Sequence, residues 1–337
     1  MKDTTKKRRA ASGDLRNAVK VLQNQEEEED HLREEEEEET PHENDHDDDD
    51  DDADDDDDEE EDAKYCRRGF GHGYHLVKGQ MGHGMEDCIV ADTKTGKGHK
   101  LGLYAIFDGH SGRDVADYLQ NHLFDNIFSQ PDFWKKPKKA IKRAYKLTDD
   151  YILSSVVGSR GGSTAVTAIV VDGKKLMVAN VGDSRAILCR KSDVVKQLTV
   201  DHEPEKERDL VERKGGFISK KPGPFSLSSY FEEEMVSIPP CNVPRVDGQL
   251  AMTRAFGDRR LKEHISVRPD IEIVQIHGDT KFLILASDGL WKVMSNEEAW
   301  EEIKEVRDAE KAAKALINEA LARGSKDDIS CVVVSFT

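Results

Sequence analysis

Long apolar runs are missing from this 337-residue chain. No stretch reaches the roughly 18 apolar residues that a spanning helix needs, so no membrane segment is expected. A secretory apolar stretch is missing at the start, and position 2 is Lys2 rather than glycine, so export and N-myristoylation are not expected. The five cysteines (Cys66, Cys88, Cys189, Cys241 and Cys331) are odd in number and form no CxxC pair. They read as reduced thiols of a cytoplasmic or nuclear protein. HExxH is absent, and Cys66, His72, His75 and His83 fall into no zinc pattern. A Walker A loop, GxGxxG and GxSxG are absent too, which weakens NTPase, dinucleotide-binding and serine-hydrolase readings.

Charge is abundant but unevenly placed. Residues 1–62 hold 30 of the 69 acids and 8 of the 50 bases, a net of −22, and the remainder carries a net of +3. Like-charge blocks at Glu26–Glu29, Glu34–Glu39 and Asp47–Asp62 have nothing apolar to bury, so residues 1–62 read as a disordered acidic tail. Such a tail is suited to basic protein partners. Lys6-Lys7-Arg8-Arg9 resembles a nuclear-import cluster, so the expected location is cytoplasm, nucleus or both. No nucleic-acid partner is expected, and a monomer is the default.

From about residue 63 the pattern becomes globular. Strand-like runs occur at Tyr74–Leu76, Cys88–Ala91, Leu103–Phe107, Thr164–Val171, Leu176–Val181, Arg185–Cys189, Ile271–Ile276, Phe282–Ala286 and Ile329–Phe336. Helical spacing marks Gly112–Phe128 and Lys138–Ser154, and Ser295-Asn296-Glu297-Glu298 reads as a capping box. Asp308 is the expected cap of a last helix ending near Gly324. Antiparallel hairpins flanked by helix pairs, without βαβ alternation, predict an α+β fold: two antiparallel sheets packed face to face with helices outside. The segment 220–242, with four prolines, reads as a long flap-like insertion in the domain 63–337.

Three apolar runs stop on an aspartate beside a small residue: Leu101–Phe107 before Asp108, Leu176–Val181 before Gly182-Asp183, and Phe282–Ser287 before Asp288. Carboxylates at buried strand ends are costly unless a cation offsets them. With Glu86-Asp87, Asp201, Asp258 and Asp327-Asp328 they form an oxygen-only set suited to Mg²⁺ or Mn²⁺. His110, two residues after Asp108, is the candidate proton donor. Two such ions would neutralise a phosphoryl group and activate water, so phosphoester hydrolysis is the predicted chemistry.

Ordered strings carry a resemblance. They are Met85-Glu86-Asp87, Phe107-Asp108-Gly109-His110, Gly162-Ser163-Thr164-Ala165, Val181-Gly182-Asp183-Ser184, Val246-Asp247-Gly248, Arg254-Ala255-Phe256-Gly257-Asp258, Ser287-Asp288-Gly289-Leu290-Trp291 and Ser325-Lys326-Asp327-Asp328. Together they resemble the metal-dependent Ser/Thr protein phosphatases of type 2C, most closely the plant members, over roughly residues 70–337. The resemblance implies a four-layer αββα sandwich, phosphoprotein substrates and two Mg²⁺ or Mn²⁺ ions per subunit. It implies that Asp108 bridges both ions, that the Gly109 carbonyl binds one, that Asp288 and Asp327 bind the other, and that Glu86 acts through water. A bridging water would attack phosphorus directly, with no phosphoenzyme, and His110 would protonate the departing oxygen. Where many members carry a phosphate-gripping arginine this chain has Gly82, which leaves metals, water or another base such as Lys78 to hold phosphate. Where many carry an aspartate four residues after Asp288 it has Lys292, which puts a third metal site at Asp183 in doubt. These departures and the long flap motivate the alternatives: a catalytically weak binding module, or an acidic-tail binder of basic proteins.

Overall fold

The computed structural model describes residues 68–220, apart from 157 and 159, and 243–337. The expected acidic tail (1–62), the import cluster and the insertion beyond Lys220 lie outside the described residues. All described residues belong to the unit Glu61–Thr337.

Two five-stranded sheets form the centre, and every pairing in them is antiparallel. The first runs β1 (Phe70–Val77), β15 (Ile329–Phe336), β14 (Thr280–Ala286), β8 (Arg185–Arg190), β9 (Val195–Gln197). The second runs β13 (Asp270–Gln275), β7 (Lys175–Val181), β6 (Ala165–Val171), β3 (His99–Phe107), β2 (Cys88–Gly96). Side-chain alternation sets the layers. On β3, Tyr104 and Ile106 meet Leu188, Leu283, Leu285, Val332 and Val334 between the sheets. Leu103, Ala105 and Phe107 point the other way, onto two helices, α1 (Asp114–Ser129) and α2 (Pro137–Ser155).

On the outer face of the first sheet, Cys331 and Val333 pack with three further helices: α4 (Asp288–Trp291), α5 (Asn296–Ile303) and α6 (Ala309–Ala322). The predicted αββα order is therefore observed. Ser295 closes a complete capping box with Glu298 at the start of α5, and the Asp308 side chain accepts from Lys311 N–H at the start of α6, both as the sequence predicts.

Shorter elements surround one end of the sandwich. A small sheet orders β12 (Phe256–Gly257), β5 (Gly162–Ser163) and β4 (Gly109–His110), so that His110 pairs with Gly162 and Gly162 with Gly257. The short helix α3 (Arg208–Arg213) lies beside the antiparallel pair β10 (Ile218–Lys220) and β11 (Pro244–Val246). Gly162 is required where it stands: a Cβ there would run into the Asp258 carboxylate and the Phe256 carbonyl.

Candidate active site

The acidic residues gather where the two main sheets end. Asp108 follows β3 and Asp183 follows β7 in one sheet, while Asp288 follows β14 and Asp327 precedes β15 in the other. Burial, and then the charges of Asp87, Asp288, Asp183 and Asp327, push the Asp108 carboxyl well above the ordinary range. Asp183 rises to about 7 through burial and the charge of Asp288, against a lowering by Lys292. Asp87 also rises to about 7, because burial outweighs hydrogen bonds from Ser330 and Ser287. This is a pocket of negative charge short of positive charge.

No three His, Cys, Asp or Glu side chains among the described residues stand as a ready-made metal cage. The donors nevertheless fit a hard divalent cation. They are carboxylate oxygens, and Oδ1 of Asp87 and Oδ1 of Asp183 are buried without any hydrogen-bond partner. A cation already stands at part of the cluster. Lys292 Nζ lies 2.5 Å from Asp288 Oδ2 and 2.9 Å from Asp327 Oδ2. The ammonium thus joins the two carboxylates that the resemblance assigns to a single ion. Burial would lower the Lys292 pKa, but Asp288 and Asp327 outweigh it and raise it.

Glu86 sits at the cluster's edge. Its Oε1 accepts from Gly112 N–H at 2.7 Å, and its own N–H donates to Asp328 Oδ2 at 2.8 Å. Asp328 also accepts from Gly79 N–H at 2.7 Å, so it ties the segment before β2 to the turn before β15. Gly109 is buried under the Glu86 carbonyl, where a Cβ would meet that oxygen at 2.7 Å.

Two of the carboxylates grouped from sequence do other work. Asp201 binds Arg185 through both oxygens, at 3.2 and 2.5 Å. Asp258 Oδ2 lies 2.7 Å from His110 Nε2, while His110 Nδ1 is buried and unpartnered. Asp258 adopts φ +49°, a left-handed conformation that aspartate tolerates, and its N–H donates to the Gly161 carbonyl at 2.8 Å. Asp149 of α2 holds this corner from beneath, accepting from Gly257 N–H at 2.8 Å and pairing with Lys262 at 2.9 Å.

Sequence reasoning grouped Asp258 with the metal acids and missed its pairing with His110. The available signal was the string that ends on it. At Gly82 a Cβ would meet nothing within 4 Å. The cavity around His110 is lined by Arg160 and Arg260, with no Lys78.

A family model described as Protein phosphatase 2C matches residues 77–329. The chain is 72% identical over 332 residues to "Probable protein phosphatase 2C 28" of Arabidopsis thaliana, covering 98% of this chain and 93% of that one. It is 56% identical to "Probable protein phosphatase 2C 62" of Oryza sativa subsp. japonica, covering 79% of this chain and 86% of that one. In fold it is similar to a crystal structure of a serine-threonine phosphatase 2C from Toxoplasma gondii. That match has a TM-score of 0.63 and 23% identity, covering 80% of this chain and 95% of that one. By sequence and by fold the chain belongs to the protein phosphatase 2C family, the metal-dependent phosphatases of protein serine and threonine, and it stands with the plant members.

Proposed function

We propose that the chain hydrolyses phosphoserine and phosphothreonine in proteins with two Mg²⁺ or Mn²⁺ ions per subunit, and that its own residues divide the work as follows. Asp108, the Gly109 carbonyl, Asp288 and Asp327 hold the ions, and Glu86 reaches them through water. Asp183 adds charge to the same cluster, next to Lys292. When bound, the ions neutralise the phosphoryl oxygens and make water nucleophilic at neutral pH.

His110 gives a proton to the departing serine or threonine oxygen from Nδ1. The carrying observation is the state of this ring: Nε2 is held by Asp258, and Nδ1 is buried without a partner. Asp258 therefore positions the ring. Gly109 and His110 sit on β4, paired to β5, which fixes the donor two residues from Asp108.

Phosphopeptide hydrolysis with Mn²⁺, followed with and without chelator, tests this reading, and activity indifferent to chelation overturns it. Asp108→Asn abolishes turnover. In chelator the variant melts no lower than the wild type, because one charge has left a repulsive cluster; a variant with near-normal rates refutes the assignment.

The acidic segment 1–62 is proposed to bind basic proteins, and the chain to work in cytoplasm, nucleus or both. Deleting 1–62 should leave catalysis and remove binding to a basic protein such as histone. No observation favours the reading as a catalytically weak binding module.

A further inference from the structure

The cavity beside His110 has a chemistry that the acid cluster does not explain. It is about 300 Å³ in volume and lined by His110, Asp258, Arg160, Arg260 and Gln249 among others. None of the cluster acids Asp108, Asp183, Asp288 or Asp327 lines it. Its one carboxylate, Asp258, is taken by His110 at 2.7 Å. Arg160 and Arg260 are both exposed, and neither pairs with a carboxylate among the described residues.

The small sheet forces this arrangement. Arg160 is two residues before β5, Arg260 is three residues after β12, and both strands pair at Gly162, which also pairs with His110. The Asp258 N–H bond to the Gly161 carbonyl, 2.8 Å, locks the two flanks together. Two guanidinium groups held on one rim, unneutralised, are a receptor for an anion, because each offers a fork of N–H donors to carboxylate or phosphate oxygens.

The rim lies on the His110 side of the site, where the departing oxygen and the peptide attached to it must be. We infer that Arg160 and Arg260 form a subsite for a second anionic group on the substrate peptide, near the phosphoserine or phosphothreonine being hydrolysed. That group is a phosphate or a carboxylate carried by a neighbouring residue. The inference rests on the phosphatase reading above, and it makes the enzyme selective for acidic or multiply phosphorylated segments.

The test uses the full chain with Mn²⁺ and phosphothreonine peptides. Each peptide carries one glutamate, one phosphoserine or only neutral residues within four positions of the scissile group, on either side. A small aryl phosphate serves as a substrate too short to reach the rim. At the favoured position the anionic peptides should show kcat/KM about tenfold above the neutral one, the size expected of charge-assisted hydrogen bonds at an exposed site. Arg160→Ala with Arg260→Ala should erase that preference through KM and leave the aryl phosphate and the neutral peptide unchanged. Arg160→Glu with Arg260→Glu should turn the preference toward lysine-flanked peptides. A stronger response to phosphoserine than to glutamate identifies a second phosphate as the natural occupant, and equal responses identify any acidic residue. Aryl phosphate turnover without any anion preference, or with a preference that survives both double variants, overturns the subsite alone. Loss of aryl phosphate turnover in the wild-type protein would instead overturn the phosphatase reading.

Discussion

Replacing Lys292 by methionine keeps the length of the side chain and removes its charge. In the structure that charge sits 2.5 Å from Asp288 and 2.9 Å from Asp327. The side chain is 56% exposed, so solvent screens it and the water limit of Coulomb's law applies. An ammonium about 4 Å from a divalent ion then opposes that ion by about 2 kcal/mol, twice the value for two unit charges. Removing it should tighten Mn²⁺ binding roughly 10- to 30-fold. The metal-free protein should respond in the opposite direction. Asp87, Asp108, Asp183, Asp288 and Asp327 lose their nearby counter-charge, so the chelated variant should melt below the chelated wild type. The folded pKa of Lys292 is raised above its unfolded value, so its contribution is fully present at pH 7–8 and is lost only when alkali titrates the ammonium. The assay is the melting temperature of each protein across a Mn²⁺ titration, since an ion that binds only the folded state raises it by mass action. The two curves should cross. Parallel curves with equal starting points would show that Lys292 has no part in the charge balance of the cluster.

Three other perturbations probe the neighbouring corner and the core of the network. Asp258→Asn should lower kcat for phosphopeptides about 100-fold with KM little changed. The loss should be much smaller for an aryl phosphate whose leaving group needs no proton; equal losses would refute the proton-donor assignment. Gly162→Ala should destabilise the protein by about 1–3 kcal/mol and lower activity with it, because the methyl displaces Asp258 or Phe256, and an unchanged urea midpoint would contradict that packing. For Asp270, burial opposes ionisation, but the hydrogen bond from His202 and the charge of Arg254 outweigh it and hold the pKa down to about 2. Its stabilisation is present above the unfolded value near 4 and is lost as pH falls through about 2. Asp270→Asn should therefore cost about 1 kcal/mol at pH 7, allowing for its partial exposure, and almost nothing at pH 2 in matched denaturant titrations.

The main strands were legible because each shows two-residue alternation or a continuous apolar run, and burial on one or both faces enforces those patterns. The starts of α5 and α6 were legible because capping is local chemistry, complete within four residues. Lys292 could be linked to Asp288 because four residues make one helical turn. The small sheet was not legible, since strands of two residues such as β4, β5 and β12 have no period to detect. Pairing partners were hidden for the same reason. His110 and Asp258 are 148 residues apart, and no local pattern distinguishes a carboxylate that orients a histidine from one that awaits a metal. The pairing of Asp201 with Arg185 was hidden likewise, because Arg185 reaches it only once β8 is folded against the turn before α3. The arginine rim depended on two loops 100 residues apart in the chain and could be seen only in three dimensions.

The two large sheets and the small one carry the acids and the two arginines on separate supports. Asp108, Asp183, Asp288 and Asp327 are anchored at the ends of deeply packed strands, where a shift in one position disturbs the whole layer. Arg160 and Arg260 project from the flanks of a three-stranded appendage whose outer positions touch solvent. Changing those two side chains therefore leaves the strands that carry the four acids where they are.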